Sequence, residues 1–239
     1  MAALLRLFID TPLAAGQTLA LADGAARHVQ VWRLQPGDAL VLFNGQGGQW
    51  TADVVAMGRR EVTVRVGAHQ TGVAEGPRAV TLAVGVPTGE RMDTLVEKAT
   101  ELGVARIQPL ICTRSVLRLT GERAAKRRAH WQGVAQAAAE QSGRCVVPQV
   151  ADWLDLADWL PQAQGSRHVL SLAGDAVPLA SWAGPVSVTL LSGPEGGLTP
   201  DEEARARQAG FTPASLGPRV LRADTAPLAA LALLQLLSV

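Results

Sequence analysis

VSVTLLSGPEGGLTPDEEARARQAG, residues 186–210, is the stretch that decides the fold. Its opening VSVTLLS is a short apolar run of the kind that forms a buried strand. GPEGG follows as a tight glycine-rich turn. Thr199 then stands as N-cap, Pro200 at the first helical position and Glu202 three residues after the cap, a capping box that opens a helix closed by Gly210. A strand, a glycine-rich loop and a helix start in direct succession put a ligand crevice at the carboxyl end of a sheet.

The pattern extends upstream. AVTLAVGV (79–86), ARIQPLIC (105–112) and RHVLSLA (167–173) are further buried-strand runs. Between them lie GERMDTLVEKATELG, with Met92, Leu95, Val96, Ala99 and Leu102 on one face, and a long alanine-rich helix near 121–142 ended by Gly143. Strands alternating with helices predict an α/β domain with a mainly parallel sheet. The first 75 residues read differently. DALVLFNGQGGQWTADVVAMGRREVTVRV alternates apolar and polar residues around the hairpin signal Asn44-Gly45, after a short helix over 25–33. GAHQTGVAEGP (67–77) has the composition of a linker. The spacing therefore predicts a small β domain over 1–72 and an α/β domain over 76–239.

Net charge is +1 but unevenly spread: zero over 1–75, +5 over 76–150 and −4 over 151–239. Arg114, Arg118, Arg123, Lys126, Arg127 and Arg128 face only Glu122 within their run, which reads either as a solvated helix face or as a surface for a polyanion. Cys112 and Cys145 stand far apart without Cys-x-x-Cys, and His28, His69, His130 and His168 show no ligand spacing, so neither a disulfide framework nor a metal is expected. There is no Gly-x-Ser-x-Gly of a serine hydrolase. Trp131, Trp153, Trp159 and Trp182 are expected in packing rather than base stacking. The apolar stretch APLAALALLQLLSV is shorter than the ~20 residues of a membrane span, and the N-terminus lacks a basic region, so a soluble cytoplasmic protein is expected.

GPEGG is a poor phosphate cradle. It lacks the lysine of a phosphate-binding loop and puts the Glu195 carboxylate where an anion would sit. A ligand with hydroxyls, an amino group or a sulfonium suits it better, unless Glu195 merely caps the helix. A second unusual stretch, ASLGPRVLRADTAPLAAL, is a long polar-studded crossing into a helix opened by Pro227.

Together GPEGGLTPDEE and SLGPRVLRADTAP resemble the 16S ribosomal RNA uracil-N3 methyltransferases of the knotted SPOUT superfamily. DTLVEKATELGV, Thr113-Arg114-Ser115, AAAEQSGRCVVP, the early RLF at 6–8 and HVQVWRLQPGDALVLFNGQG agree in order along essentially the whole chain. Two departures stand out: Asp224 replaces a usual glutamate, and Gln30-Val31-Trp32 interrupts a usual valine-leucine-arginine run. The resemblance implies a C-terminal trefoil-knot domain behind a small PUA-like RNA-binding domain, a homodimer, and methyl transfer from S-adenosylmethionine to N3 of a uridine in 16S ribosomal RNA of the small subunit. It implies cofactor contacts at Ser171, Leu172, Gly193, Glu195, Gly196, Leu216, Gly217, Val220 and Leu221, with bare glycine backbone allowing close approach.

That chemistry requires donors for charge developing on the uracil carbonyls, for which Arg114, Arg144 and Arg222 are candidates. Phosphate contact or a structural hydrogen bond is the alternative for each. Glu140, Glu195 and Asp224 are all conceivable proton acceptors. Arg6, Arg27, Arg33, Arg118 and Arg127 are candidate RNA contacts. A last helix from Leu228 to Leu237, apolar nearly all round, asks to be covered on both sides, which a second subunit would do. A non-catalytic RNA-binding protein with a degenerate pocket is the competing reading; the intact glycines 193, 196, 197 and 217 stand against it.

Overall fold

The computed structural model describes residues 4–71, 75–182, 184 and 186–236. Near the N-terminus the alternating residues form β1 (Arg6–Phe8), β2 (Thr18–Ala22), α1 (Asp23–Val31), β3 (Ala39–Phe43), β4 (Gln49–Met57) and β5 (Glu61–Gln70). The strands make one sheet in the order β1-β3-β4-β5-β2. Period-two alternation in β5 buries Val62, Val64 and Val66 against Leu7, Leu21 and Leu42 while their neighbours face out. Asn44-Gly45 does begin the β3–β4 hairpin. The loop has five residues rather than two, with Gly45, Gly47 and Gly48 all at positive φ.

Two expectations change here. The segment 67–77 is not simply a linker, because β5 runs through to Gln70 and Glu75 is already engaged, while 72–74 lie outside the described residues. Nor is the second domain continuous. The chain divides into Met1–Glu75 with Ala139–Val147, and Gly76–Ala138 with Pro148–Val239. The physical reason is a set of polar ties. Glu140 accepts the Phe8 amide at 2.9 Å. Arg144, only 3% exposed, donates Nη2 to Glu75 at 2.7 Å, and the same carboxylate accepts the Cys145 and Val146 amides.

The other unit contains β6 (Ala79–Gly85), α2 (Arg91–Glu101), β7 (Arg106–Ile111), most of α3 (Gly121–Ser142), β8 (Gln149–Val150), β9 (Leu154–Asp155), α4 (Leu156–Trp159), β10 (Ser166–Leu170), β11 (Val177–Pro178), β12 (Ser187–Ser192), α5 (Pro200–Gln208), β13 (Thr212–Ser215) and α6 (Thr225–Leu236). Its sheet runs β11-β13-β10-β12-β6-β7-β8, with β9 also beside β7, and every pair is parallel. Central strands are accordingly apolar on both faces: Val188, Leu190 and Leu191 of β12 are all buried. α6 packs on α2, β6 and β12. Its Gln235 amide donates to the Arg78 and Gly103 carbonyls, at 3.0 and 2.9 Å. Among the described residues no helix is long and apolar enough to cross a membrane.

Removing one partner of a buried pair strands the other's charge. Glu75→Ala is therefore expected to lower the stability of the N-terminal unit by about 2–4 kcal/mol, read by chemical denaturation followed at the β-rich unit.

Candidate active site

Three parallel strands, β10, β12 and β13, end at one cavity of about 650 Å³. Its wall is built from Leu170–Leu172 after β10, the loop 192–198 after β12, and the crossing 214–226 after β13. A crevice outside the carboxyl ends of a parallel sheet is where the strand–loop–helix pattern put it. All nine residues singled out for the ligand, Ser171, Leu172, Gly193, Glu195, Gly196, Leu216, Gly217, Val220 and Leu221, line this one cavity. Ser171 differs in detail: its amide donates to the Ala214 carbonyl and its hydroxyl to Glu203, so its carbonyl is what remains for a ligand.

The loop after β12 is held from several sides. At the end of β6 a Cβ on Gly85 would lie 2.5 Å from the Pro194 nitrogen, so only glycine admits the loop. A Cβ on Gly193 would meet the Leu198 amide nitrogen at 2.8 Å. Arg114 donates Nη1 to the Gly196 and Leu198 carbonyls at 2.7 and 3.3 Å. The expected capping box is present: Thr199 accepts the Glu202 amide, and Glu202 Oε2 accepts the Thr199 amide at 2.8 Å. The second oxygen of Glu202 takes the Thr113 amide at 2.7 Å. Burial works to raise its pKa, but the amides of Thr199 and Thr113 outweigh burial and hold it below the ordinary 4.5. Glu195 shows the same balance, burial being outweighed by the amide and hydroxyl of Thr88, at 2.8 and 2.7 Å. It is a fixed anion, not a free base.

A model of an RNA methyltransferase domain matches residues 74–235, and one of an RNA methyltransferase PUA domain matches residues 21–67. Curated relatives called ribosomal RNA small subunit methyltransferase E include one from Synechocystis, 33% identical over 90% of this chain and 72% of its own, and one from Bacillus subtilis, 31% identical over 85% and 83%. The chain belongs to the small subunit methyltransferase E family. A solved family member from Neisseria gonorrhoeae, described as bound to S-adenosyl methionine, superposes with a TM-score of 0.92 at 36% identity, covering 98% of this chain and 97% of that one. A putative methyltransferase from Legionella pneumophila, in complex with the same cofactor, superposes with a TM-score of 0.92 at 34% identity over 98% of each.

In this methyltransferase the candidate arginines separate by their surroundings. Arg222 and Arg219 are exposed on the cavity rim and Arg91 is half-buried there beside Glu195; the sequence pattern singled out neither Arg219 nor Arg91. Arg219 had a signal, since it stands three residues before Arg222 in the same crossing. Arg114 clamps loop carbonyls. Arg144 is buried in the N-terminal unit with Glu75, the structural alternative rather than a group facing a cavity. Glu140 lies in that unit too. Asp224 has a buried Oδ1 with no hydrogen-bond partner among the described residues, but it does not line the cavity.

The candidate RNA contacts also divide. Arg27 and Arg33 are exposed. Arg6 is not a surface group: its guanidinium bonds Gln49 and the Arg144 carbonyl and lies over the Phe43 ring. Arg118 donates to the Cys112 and Thr113 carbonyls, and Arg127 leans on Trp131. Lys126 pairs with Glu122, and Arg128 with Asp152, so the run is more neutralised than its sequence implies. Trp131 and Trp159 are buried, as expected of packing residues.

Gly193→Val forces backbone to move and is expected to abolish filling of the cavity by ligand, whereas Gly196→Val meets only the Arg114 side chain, 3.0 Å away, and is expected to weaken it. Titration calorimetry with S-adenosylmethionine orders the two. Because the folded pKa of Glu202 is depressed, its contribution is complete above 4.5 and lost as pH falls through the folded value. Glu202→Gln is expected to lower stability by about 1–3 kcal/mol at pH 7, and to flatten stability against pH below 4.5, read by thermal melts across pH.

Proposed function

We propose that this chain transfers the methyl group of S-adenosylmethionine to N3 of one uridine in 16S ribosomal RNA of the small subunit, in the cytoplasm. One observation carries it: the nine residues tied to the cofactor by sequence resemblance converge on a single cavity at the carboxyl ends of β10, β12 and β13. Solved relatives that carry S-adenosylmethionine, at 34 and 36% identity, support the same reading. The residues fit the group. The volume is within the ~300–1,000 Å³ of small-molecule sites. Leu170, Leu172, Leu216 and Leu221 offer apolar walls for a base, and glycine backbone offers unhindered amides and carbonyls. Glu195, ionised and fixed by Thr88, is complementary to a cationic ligand.

S-adenosylmethionine supplies an electrophilic methyl group on cationic sulfur. The protein's part is alignment and charge stabilisation, and alignment alone accounts for much of such a rate. Arg114 and Glu202 keep the loop rigid from behind. Arg222, exposed at the rim, is placed to donate to a uracil carbonyl as N3 gives its proton to solvent water and negative charge develops on oxygen. Arg219 is placed to meet phosphate, which fixes register without reading sequence, whereas Arg91 is held 3.5 Å from the Glu195 carboxylate.

The same reading includes a trefoil knot and a homodimer. Supporting the knot is the return of the chain from β13, across β10 and β12, to lay α6 on β6 and α2. Knots are rare exceptions among folds. Supporting the dimer, Pro227, Ala230, Leu231 and Leu234 are buried, whereas Leu228 and Leu233 are only half-buried and Leu236 is 72% exposed. Leu237 lies outside the described residues.

Labelled S-adenosylmethionine incubated with undermethylated small subunits, followed by mapping of the modified base, is expected to find label on N3 of one uridine; label elsewhere, or none, overturns the assignment. Arg222→Ala is expected to reduce kcat by about 10²–10³-fold with cofactor affinity retained. Leu233→Asp is expected to convert a dimer to monomer in sedimentation at micromolar concentration.

A further inference from the structure

Helix α1 ends in an unusual way. The Trp32 amide bonds the His28 carbonyl, Arg33 bonds Gln30 at 3.0 Å, and Leu34 reaches back to Val29 at 3.3 Å. These are the paired bonds of a Schellman turn, with Trp32 at its C-cap and Arg33 at the left-handed position. Glycine is the usual occupant there. Here Arg33 holds φ +58°, the only non-glycine residue at positive φ among those described. Left-handed backbone is strained for a side chain with a Cβ. Leu34 and Val29 anchor the turn in the core, leaving Trp32 52% and Val31 68% exposed.

A second element meets this turn. Gln30 donates its side-chain amide to the carbonyls of Gly58 and Arg59, at 3.1 and 3.3 Å, tying the end of α1 to the β4–β5 turn. Arg27, Arg33, Arg59 and Arg60 are all exposed, and none makes a side-chain hydrogen bond or ion pair among the described residues. The two segments 27–34 and 58–61 hold four arginines against one acid, Glu61. A large exposed indole among free guanidiniums is the composition of a single-strand site: each base has a face to stack, and each phosphate a cation to meet. Within these two segments Val31 is the one other large apolar side chain that is exposed, less than the apolar surround a protein contact core needs.

We propose that Trp32 is a stacking platform for one unpaired base of the RNA substrate, with Arg27, Arg33, Arg59 and Arg60 holding the flanking phosphates. The left-handed Arg33 is the device that presents both groups, because the tight turn forces Trp32 outward while placing a guanidinium next to it. This rests on the methyltransferase reading and names the part of the N-terminal unit that would engage RNA.

The test uses the full-length protein and a fluorescein-labelled single-stranded RNA dodecamer of mixed sequence, read by anisotropy across salt. Trp32→Ala is expected to weaken binding about 5- to 100-fold with an unchanged salt dependence, and Trp32→Phe to restore most of it. Arg59→Gln is expected instead to lower the slope of log affinity against log salt by about 0.7. Arg33→Gly should keep or raise the thermal midpoint while weakening RNA, since it relieves strain and deletes a cation. Calorimetry should find S-adenosylmethionine affinity unchanged in all four variants. Binding by Trp32→Ala within twofold of wild type, a Trp32→Phe no better than alanine, or a change of oligomeric state in Trp32→Ala would each overturn the platform. In parallel, wild-type protein that leaves undermethylated subunits unlabelled would overturn the methyltransferase reading; wild-type activity with unaltered RNA binding by Trp32→Ala would sink the platform alone.

Discussion

One carboxylate joins the two loops on which the cavity depends. Glu202 spends one oxygen on the Thr199 amide at the start of α5 and the other on the Thr113 amide after β7. It thereby caps a helix and pins a distant turn with the same charge. The pinned turn carries Arg114, which closes on the carbonyls of Gly196 and Leu198. Loop 193–198 is thus held at its C-terminal end by charge-assisted bonds to Arg114 and Glu202, and in its middle by Glu195, which accepts the Thr88 amide. Such preorganisation means that the groups need not be reordered when substrate arrives. The bonds themselves are short and local, but their effect is to fix the relation between two strand ends that are far apart in sequence.

The glycines complete that arrangement by subtraction. Gly85 lets Pro194 lie against the end of β6, and Gly193 lets Leu198 fold back. Neither position is at positive φ, so the requirement there is space and not conformation. Gly197, at φ +68°, is the opposite case: nothing lies near its missing Cβ, and only the backbone angle calls for glycine. A single short motif therefore carries two different physical demands.

Much of this was legible in the sequence because the signals are local. Thr199, Pro200 and Glu202 specify the start of α5 within four residues, and the apolar runs at 79–86 and 186–192 can be nothing but buried strands in so regular an alternation. The nine residues that the resemblance tied to the cofactor had no other signal as a set, and their convergence on one cavity follows from parallel strands ending on one side. Other features had no local signal. β8, β9 and β11 are two residues each and show no period. The transfer of 139–147 to the N-terminal unit was hidden because helical periodicity runs unbroken to Ser142, while the partners that capture it, Phe8 and Glu75, are remote in the chain. Arg6 looked like a surface cation because composition counts charges but not the carbonyls they serve, and Arg118, though exposed, spends its Nη2 on two such carbonyls. Arg91 reads as an ordinary first-turn residue of α2 until the fold brings it to Glu195.

The ownership of 139–147 bears on the order in which the protein is made. Synthesis delivers the chain from the N-terminus, and domains tend to fold as they emerge. The first 75 residues contain all five strands of their sheet, yet Glu140 arrives only with the last turns of α3, and Arg144 and the amides of Cys145 and Val146 only after it. Until then the Phe8 amide and the Glu75 carboxylate have lost the partners that the finished fold gives them. The β-rich unit is encoded first but finished late, and α3 must be on hand before either half of the chain is closed.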